Sequence, residues 1–222
     1  MVVSLKDFFM RLFGGRRRDD AVPLFVLLVV CGLLLMGCRH SETGGTTEEK
    51  AYDRLQLKGR WSEIIEKHNQ QPAQSLACKK VVALAMLKEQ GARGKEQELM
   101  AFCLSDSHDV LTSPAAALMM SDVYMQLGMV AMAQRAAFEA MVKMGDVKNC
   151  ERPLRRLTEA ALIMGQTELT VKYASLLEEF SSSRKWARRM KQLARHPELI
   201  DEASGIGKLK KQYEHTEDTF FL

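Results

Sequence analysis

Proline and aromatic residues are scarce in this chain: 222 residues contain five prolines, and aromatic side chains make up 7% of the total. A β-sandwich or barrel would need more of the aromatic and β-branched residues that favour strands. Alanine, leucine, methionine, glutamate and lysine, which favour helices, are abundant instead. A chain of this length has room for one domain. We therefore expect an all-α fold.

Motifs that carry catalysis or hold cofactors are also missing. The sequence contains no Walker loop, no Gly-x-Ser-x-Gly turn, and no His-Glu-x-x-His or Cys-x-x-Cys motif. His108 beside Asp109 comes nearest to a base with an orienting carboxylate, but its polar surroundings are typical of a loop before a helix that begins at Ser113-Pro114. We therefore predict no catalytic residue, no metal ligand and no cofactor, and expect a protein that is not an enzyme.

A large excess of charge of one sign is absent as well. The formal net charge is +4 at pH 7. The first 37 residues contribute +2 of this charge, since they carry five basic and three acidic side chains. The remainder of the chain therefore has a net charge of only +2. Because nucleic-acid affinity depends on many basic contacts to phosphates, we expect no nucleic-acid partner.

The N-terminal 37 residues have the layout of an export signal. Lys6, Arg11 and three arginines at 16–18 precede an apolar stretch from Ala21 to Gly37. As a helix, these 17 residues would span roughly 25 Å, the lower limit for crossing a hydrocarbon core of about 30 Å. An uncleaved signal anchor is therefore an open alternative to cleavage. The basic side chains would place everything after the apolar stretch outside the cytoplasm.

The apolar stretch ends in an aliphatic residue and a small residue before a cysteine, Leu35-Met36-Gly37-Cys38. This ending resembles the lipobox of bacterial lipoproteins. The resemblance implies that residues 1–37 are a removed signal peptide and that Cys38 carries fatty acyl chains such as palmitate. The body would then be anchored to a membrane of the bacterial cell envelope. Residues 38–47, polar and glycine-bearing, would form the lipidated cysteine and a flexible tether.

Three further cysteines, Cys78, Cys103 and Cys150, are widely spaced in apolar helical patterns. An odd number in an exported protein allows at most one internal disulfide bond and predicts at least one free thiol. We interpret these residues as small buried hydrophobic side chains.

Four glycines recur between helix-sized apolar patterns, at intervals of 35, 34 and 37 residues: Gly59, Gly94, Gly128 and Gly165. A period of about 34 residues is typical of a solenoid of paired helices. We expect each glycine to end a helix in the left-handed conformation, which gives about four antiparallel helix pairs within residues 48–196. Gly91 is an alternative turn to Gly94, and an irregular helical bundle is the alternative fold.

The third unit has a distinctive spacing around Gly128. Tyr124 lies four residues before this glycine, and Ala133, Ala137 and Ala140 follow it. The pattern resembles the tetratricopeptide repeat, in which the tyrosine packs in the first helix and small residues let the second helix approach closely. The resemblance covers residues 48–182 and implies a helix-hairpin solenoid.

The same unit, together with Arg184-Lys185-Trp186-Ala187 downstream, also resembles the helical C-terminal part of an uncharacterised family of bacterial membrane proteins. That resemblance supports the fold and the localisation and implies no activity.

Residues 183–196 combine an apolar stripe with many basic side chains. The stripe contains Trp186, Met190, Leu193 and Ala194. We interpret the segment as a helix that caps the solenoid, with one face in water. Its basic face could instead contact anionic headgroups or an acidic partner, and the candidate partner-binding residues are Arg184, Lys185, Arg188 and Arg189. Residues 197–222 are predicted to form a partly ordered tail.

Stacked helix pairs expose much surface on a rigid scaffold, which suits binding better than catalysis. We therefore expect a membrane-tethered scaffold or adaptor with a protein partner of unknown identity. The alternative is a small-molecule or glycan-binding component of envelope uptake. That alternative requires a cluster of exposed aromatic side chains, for which the candidates are Tyr52, Trp61, Tyr124, Tyr173 and Trp186.

Overall fold

The computed structural model describes residues 44–89, 94–105, 110–200 and 205–214. Several predictions fall outside these ranges: the signal peptide, the lipidated Cys38, most of the tether, the turn at Gly91 and the pair His108 and Asp109. The described residues belong to one compact unit.

The described residues form ten α-helices and no strand, so the all-α prediction is confirmed. Their bounds are α1 Thr47–Leu57, α2 Trp61–Gln70, α3 Leu76–Lys88, α4 Glu96–Leu104, α5 Pro114–Gln126, α6 Val130–Met144, α7 Glu151–Ile163, α8 Thr167–Leu177, α9 Arg184–Arg195 and α10 Ile206–Glu214.

Local sequence explains where several helices begin. The Thr46 hydroxyl accepts a hydrogen bond from the Glu49 backbone N–H, and the Glu49 carboxylate accepts one from the Thr46 backbone N–H, so α1 starts with a capping box. At the start of α3 the Ser75 hydroxyl accepts a hydrogen bond from the Cys78 backbone N–H. Ser113 caps α5, and Pro114 occupies the first helical position, as the sequence predicts.

Each of the four periodic glycines lies between two helices and has a positive φ angle: Gly59 at 63°, Gly94 at 78°, Gly128 at 80° and Gly165 at 72°. The two helices that flank each glycine contact each other. We call α1, α3, α5 and α7 the first helices and α2, α4, α6 and α8 the second helices. At Gly128 the conformation matters most, because a side chain there would be strained by the φ angle and would meet the side chain of Gln212.

Contacts also join helices from different pairs. Helix α6 packs against α7, and α8 packs against α9. Helix α1 contacts α3 and also α5, which lies two pairs further along the chain. A strictly nearest-neighbour stack of repeats would lack the contact between α1 and α5.

The hydrophobic core has two main clusters. The larger cluster is centred on α3 and α5 and includes Leu84, Met119 and Val123, all inaccessible to solvent. The second cluster joins α7, α8 and α9 and includes Leu154 and Leu177. Dispersion and apolar burial in these clusters hold the helices together, since several of the helices are too short to be stable alone.

The stretch predicted as a partly ordered tail contains a further helix, α10. Ile206, Leu209 and Tyr213 of this helix pack against the larger core cluster. Gln212, on the same helix, lies against Gly128 in the turn between α5 and α6. A spacing of three and four residues between the apolar positions is the helical signal that the sequence carries for this segment.

Candidate functional site

The four predicted partner-binding residues lie on the solvent-facing side of α9. Arg184, Lys185, Arg188 and Arg189 are all exposed. The opposite face of α9 is buried in the core through four apolar side chains, Ala187, Met190, Leu193 and Ala194. The amphipathic pattern in the sequence therefore gives the correct division between the buried and exposed faces of this helix.

The Glu178 carboxylate lies close to this basic face. The Glu178 side chain is 2.9 Å from the Lys191 ammonium, and its backbone carbonyl accepts a hydrogen bond from Arg184 Nε at 3.0 Å. The hydrogen bond from Lys191, together with the positive charges of Lys191, Arg188 and Arg184, lowers the pKa of Glu178 below its ordinary value. Within the described ranges, Lys185 forms no ion pair.

Trp186 lies at the edge of the basic face. Its ring is half-buried, and the Arg155 guanidinium of α7 stacks over it at 4.7 Å from the ring centroid. This cation–π contact adds an exposed arginine next to α9 and occupies one face of the indole.

A second exposed feature is apolar. Seven large hydrophobic side chains of the described residues are exposed, and five of them belong to second helices: Met100 and Phe102 on α4, Phe138 and Val142 on α6, and Leu169 on α8. Phe138 and Val142 are 48% and 59% exposed and lie one helical turn apart. Adjacent exposed apolar side chains such as these two are a feature of interaction surfaces.

A polar contact joins α6 to the residue that precedes α8. Gln134 Nε2 donates a hydrogen bond to Gln166 Oε1 at 3.0 Å. Phe138 follows Gln134 by one turn on α6, and Leu169 follows Gln166 by three residues at the start of α8. We call the set Phe138, Val142 and Leu169 the second-helix patch. Phe138 belongs to the helical spacing of apolar residues in this segment, yet its side chain faces solvent.

A network of ion pairs joins three first helices. From α7, the Arg152 guanidinium donates to both Asp53 oxygens on α1, at 2.8 and 2.7 Å, and to Asp122 on α5 at 2.6 Å. Arg156, one turn further along α7, also pairs with Asp122 and donates to Glu159 at 2.7 Å. Helix α1 is therefore held across α5 and α7 by charge as well as by apolar contact.

Burial affects the protonation of this network. Desolvation alone would lower the pKa of Arg152, but the hydrogen bonds that it donates to Asp53 and the charge of Asp122 raise this pKa above its ordinary value. Burial also raises the pKa of Glu159, and the positive charge of Arg156 only partly offsets this effect. The arrangement keeps Arg152 charged and holds the helices in place. The groups pair with one another, and the geometry indicates a structural role.

Sequence reasoning missed this network. Asp53, Asp122 and Arg152 are separated by 69 and 30 residues, and each stands in a helix where a charged residue is normally interpreted as solvated. One feature of α1 points to the network: the charged Asp53 is buried on the same side of the helix as Tyr52 and Gln56.

The three cysteines Cys78, Cys103 and Cys150 are buried and unpaired. The predictions of a free thiol and of buried positions are therefore confirmed. Burial raises the pKa of Cys78 to about 12 and that of Cys103 to about 11. Thiols with such pKa values are poor nucleophiles at neutral pH.

The aromatic candidates for a ligand site are not grouped on the surface. Tyr52 and Tyr124 are buried, and Trp61, Tyr173 and Trp186 are half-buried.

In the part of the chain that the structure describes, no group of three histidine, cysteine or carboxylate side chains could hold a metal ion. No helix of that part has the length and apolar character to cross a membrane.

Comparison with known proteins gives one result. Residues 12–222 match a family described as "Family of unknown function (DUF6057)". No curated protein and no solved structure matches the chain. Because the match covers nearly the whole sequence, the chain belongs to this family, DUF6057.

Proposed function

We propose that this protein is a lipid-anchored scaffold of the bacterial cell envelope, and that it binds a protein partner through the second-helix patch. The observation that carries the proposal is the exposure of Phe138 and Val142 side by side on α6. Aromatic and aliphatic side chains that stay in water in the free protein are the usual anchors of protein interfaces.

Helices α5 to α8 support a tetratricopeptide-like arrangement. Ala133, Ala137 and Ala140 of α6 are completely buried, as expected where a second helix approaches its neighbours closely. Tyr124 of α5 is buried as well. These positions are those that the repeat family reserves for small residues and for the packed tyrosine.

The first helices are less suited to hold the partner. Helix α1 contacts α3 and α5 and is ion-paired to α7, and α10 contacts α7. The chain therefore covers part of the surface of its own first helices. The second-helix patch is free of such covering segments among the described residues, which is why we assign the partner to it.

The anchor is proposed on the sequence around Cys38. An acylated cysteine followed by a short polar tether would keep the helical body beside a bilayer and outside the cytoplasm. Two or three acyl chains bind a membrane far more firmly than one, because each buried methylene contributes about 0.8 kcal/mol. A partner in the same membrane would then be met at a high local concentration.

Co-purification from native membranes tests the proposal. The test variant Phe138→Glu/Val142→Glu adds two negative charges to the patch. The control Gln126→Glu/Asn149→Glu adds two negative charges at exposed positions elsewhere. We expect a reproducible partner with the wild type and the control, and its loss with the test variant.

Equal recovery of the partner with both variants would exclude the second-helix patch. Absence of any reproducible partner with the wild type would contradict the scaffold function itself. Substitutions at exposed positions usually change the free energy of unfolding by less than about 0.5 kcal/mol. Both variants should therefore stay folded, and loss of the partner would not be caused by unfolding.

A further inference from the structure

The solvent-facing side of α9 carries charge of one sign. Its side chains are Arg184, Lys185, Arg188, Arg189, Lys191, Gln192 and Arg195. All of them are exposed except Lys191, which is half-buried. A helix of this length spans roughly 18 Å, so six cations lie along a strip of that size with no carboxylate among them. We call this strip the α9 basic face.

Nearby carboxylates offset little of this charge. The Glu178 carboxylate pairs with Lys191, and the Glu151 carboxylate accepts hydrogen bonds from the Ser182 and Ser183 hydroxyls just before the helix begins. Glu198, beyond the other end, lies 3.2 Å from the His196 ring. Arg155 adds a further cation beside Trp186. The strip therefore keeps a clear positive surplus.

The apolar side of α9 is already used. Met190 and Leu193 are at most 5% exposed because they pack in the core cluster that joins α7, α8 and α9. An amphipathic helix that enters the headgroup region needs a free apolar face. Helix α9 lacks one, so its contacts with another surface must be electrostatic and superficial.

The composition of the strip distinguishes a membrane from a protein partner. Specific protein interfaces are centred on buried aromatic or aliphatic anchors with few charges at the centre. The α9 basic face has no apolar side chain at its centre, and Trp186 at its edge is stacked with Arg155. An anionic bilayer requires only clustered basic side chains, each of which contributes to the attraction.

We propose that the α9 basic face docks on an anionic membrane surface and so fixes the orientation of the helical body relative to the bilayer. The proposal depends on the proposed function only for the tether, which would supply the adjacent membrane. It concerns a different surface from the second-helix patch, so the two can succeed or fail separately.

Energy transfer from Trp186 to a dansyl-labelled lipid tests the docking. The full chain with Trp61→Phe has Trp186 as its single tryptophan. This chain is reconstituted into nanodiscs of phosphatidylcholine alone or of phosphatidylcholine mixed with phosphatidylglycerol. We expect strong transfer only in the discs with phosphatidylglycerol, and we expect high salt to abolish it, because salt screens surface charges.

Two matched variants locate the contact. Lys185→Glu/Arg189→Glu reverses two charges of the α9 basic face, and Lys79→Glu/Lys148→Glu reverses two exposed lysines on other segments. Each basic side chain near an anionic surface favours binding about fivefold. The first variant should therefore lower the ratio of docked to undocked protein by at least about 25-fold, and the second should leave it unchanged.

Two results would overturn the docking proposal: equal transfer in both kinds of disc, or equal loss with both variants. Transfer that depends on an added acidic protein, and not on lipid charge, would assign the face to a protein partner instead. A chain that leaves the discs in a high-salt wash lacks the anchor. That outcome counts against the tether alone. The docking proposal is still tested at low salt, where the wild type should bind anionic discs and Lys185→Glu/Arg189→Glu should not.

Discussion

At the scale of single residues, Arg152 has the largest structural role that the sequence does not reveal. Its guanidinium binds carboxylates from two other helices, Asp53 and Asp122, and its side chain is 27% exposed. Removing one member of such a group leaves the other charges without partners in a poorly solvated place.

Arg152→Ala should therefore be strongly destabilising. We expect a loss of about 3 kcal/mol in the free energy of unfolding, measured with urea. Arg155→Ala, in the same helix but exposed and stacked over Trp186, should cost less than about 1 kcal/mol. Similar losses for the two variants would show that the ion-pair network does not hold α1 in place.

The buried thiols predict an effect of alkaline pH. Cys78 and Cys103 have pKa values of about 12 and about 11 in the folded protein, above the ordinary value of 9.0. The folded state thus holds these protons more tightly than the unfolded state. Their contribution to stability is complete below the ordinary pKa and is lost as the pH rises toward the folded values.

Stability should consequently fall between pH 9.0 and about 12, by about 1.4 kcal/mol per pH unit for each thiol that titrates only in the unfolded state. Cys78→Ala should make this fall shallower over the whole window. Cys103→Ala should do so over a narrower window, because its folded pKa is lower. Urea unfolding across this pH range would contradict the account if all three proteins gave parallel curves.

At the scale of elements, the turns and caps could be predicted from the sequence. The period of the glycines gives the positions of Gly59, Gly94, Gly128 and Gly165 between helices, and Ser113-Pro114 gives the start of α5. These signals are local, because a left-handed turn or an N-cap depends on a few neighbouring residues.

Packing between distant elements could not be predicted in the same way. Nothing near Gln212 in the sequence indicates that it lies against Gly128. Likewise, nothing near Asp53 indicates that it pairs with Arg152. The exposure of Phe138 could not be predicted for a related reason: the helical period identifies an apolar side of α6, but only neighbouring helices decide how much of that side is covered.

Two glycines with similar φ angles separate local strain from packing. Gly165→Ala should cost about 1 kcal/mol, because its surroundings are open and only the left-handed backbone is strained. Gly128→Ala should cost about 1 kcal/mol more, since its Cβ would lie 2.8 Å from Gln212 Cγ.

Adding Gln212→Ala to each glycine variant tests the cause. This substitution should remove the extra cost at Gly128 and leave the cost at Gly165 unchanged in urea unfolding. If Gly128→Ala and Gly165→Ala alone lowered the free energy of unfolding equally, the packing of Gln212 against the turn would make no contribution.

At the scale of the whole molecule, the anchor and the helical body make separate claims. The all-α body is observed, whereas lipidation of Cys38 is a prediction from the residues that precede it. Labelled fatty acid should enter the wild-type chain in bacterial cells and should be absent from Cys38→Ala. Equal labelling of the two proteins would exclude lipidation of Cys38 and leave an uncleaved signal anchor as the means of tethering.

The arrangement of the helices bears on where a partner would bind. Helix α1 packs on α3 and α5, and α10 packs on α7, so part of the surface of these first helices is covered. The exposed apolar side chains lie mainly on the second helices. An anchored scaffold would therefore present its binding surface on α6 and α8.

Site-specific photo-crosslinking in native membranes is the most direct test of this account. A photo-reactive phenylalanine analogue replaces Phe138 in one chain and Lys79, an exposed residue of the first helix α3, in another. We predict a discrete crosslinked partner at position 138 that is absent at position 79. No crosslink at position 138, or the same products at both positions, would contradict the claim that the second-helix patch binds a protein.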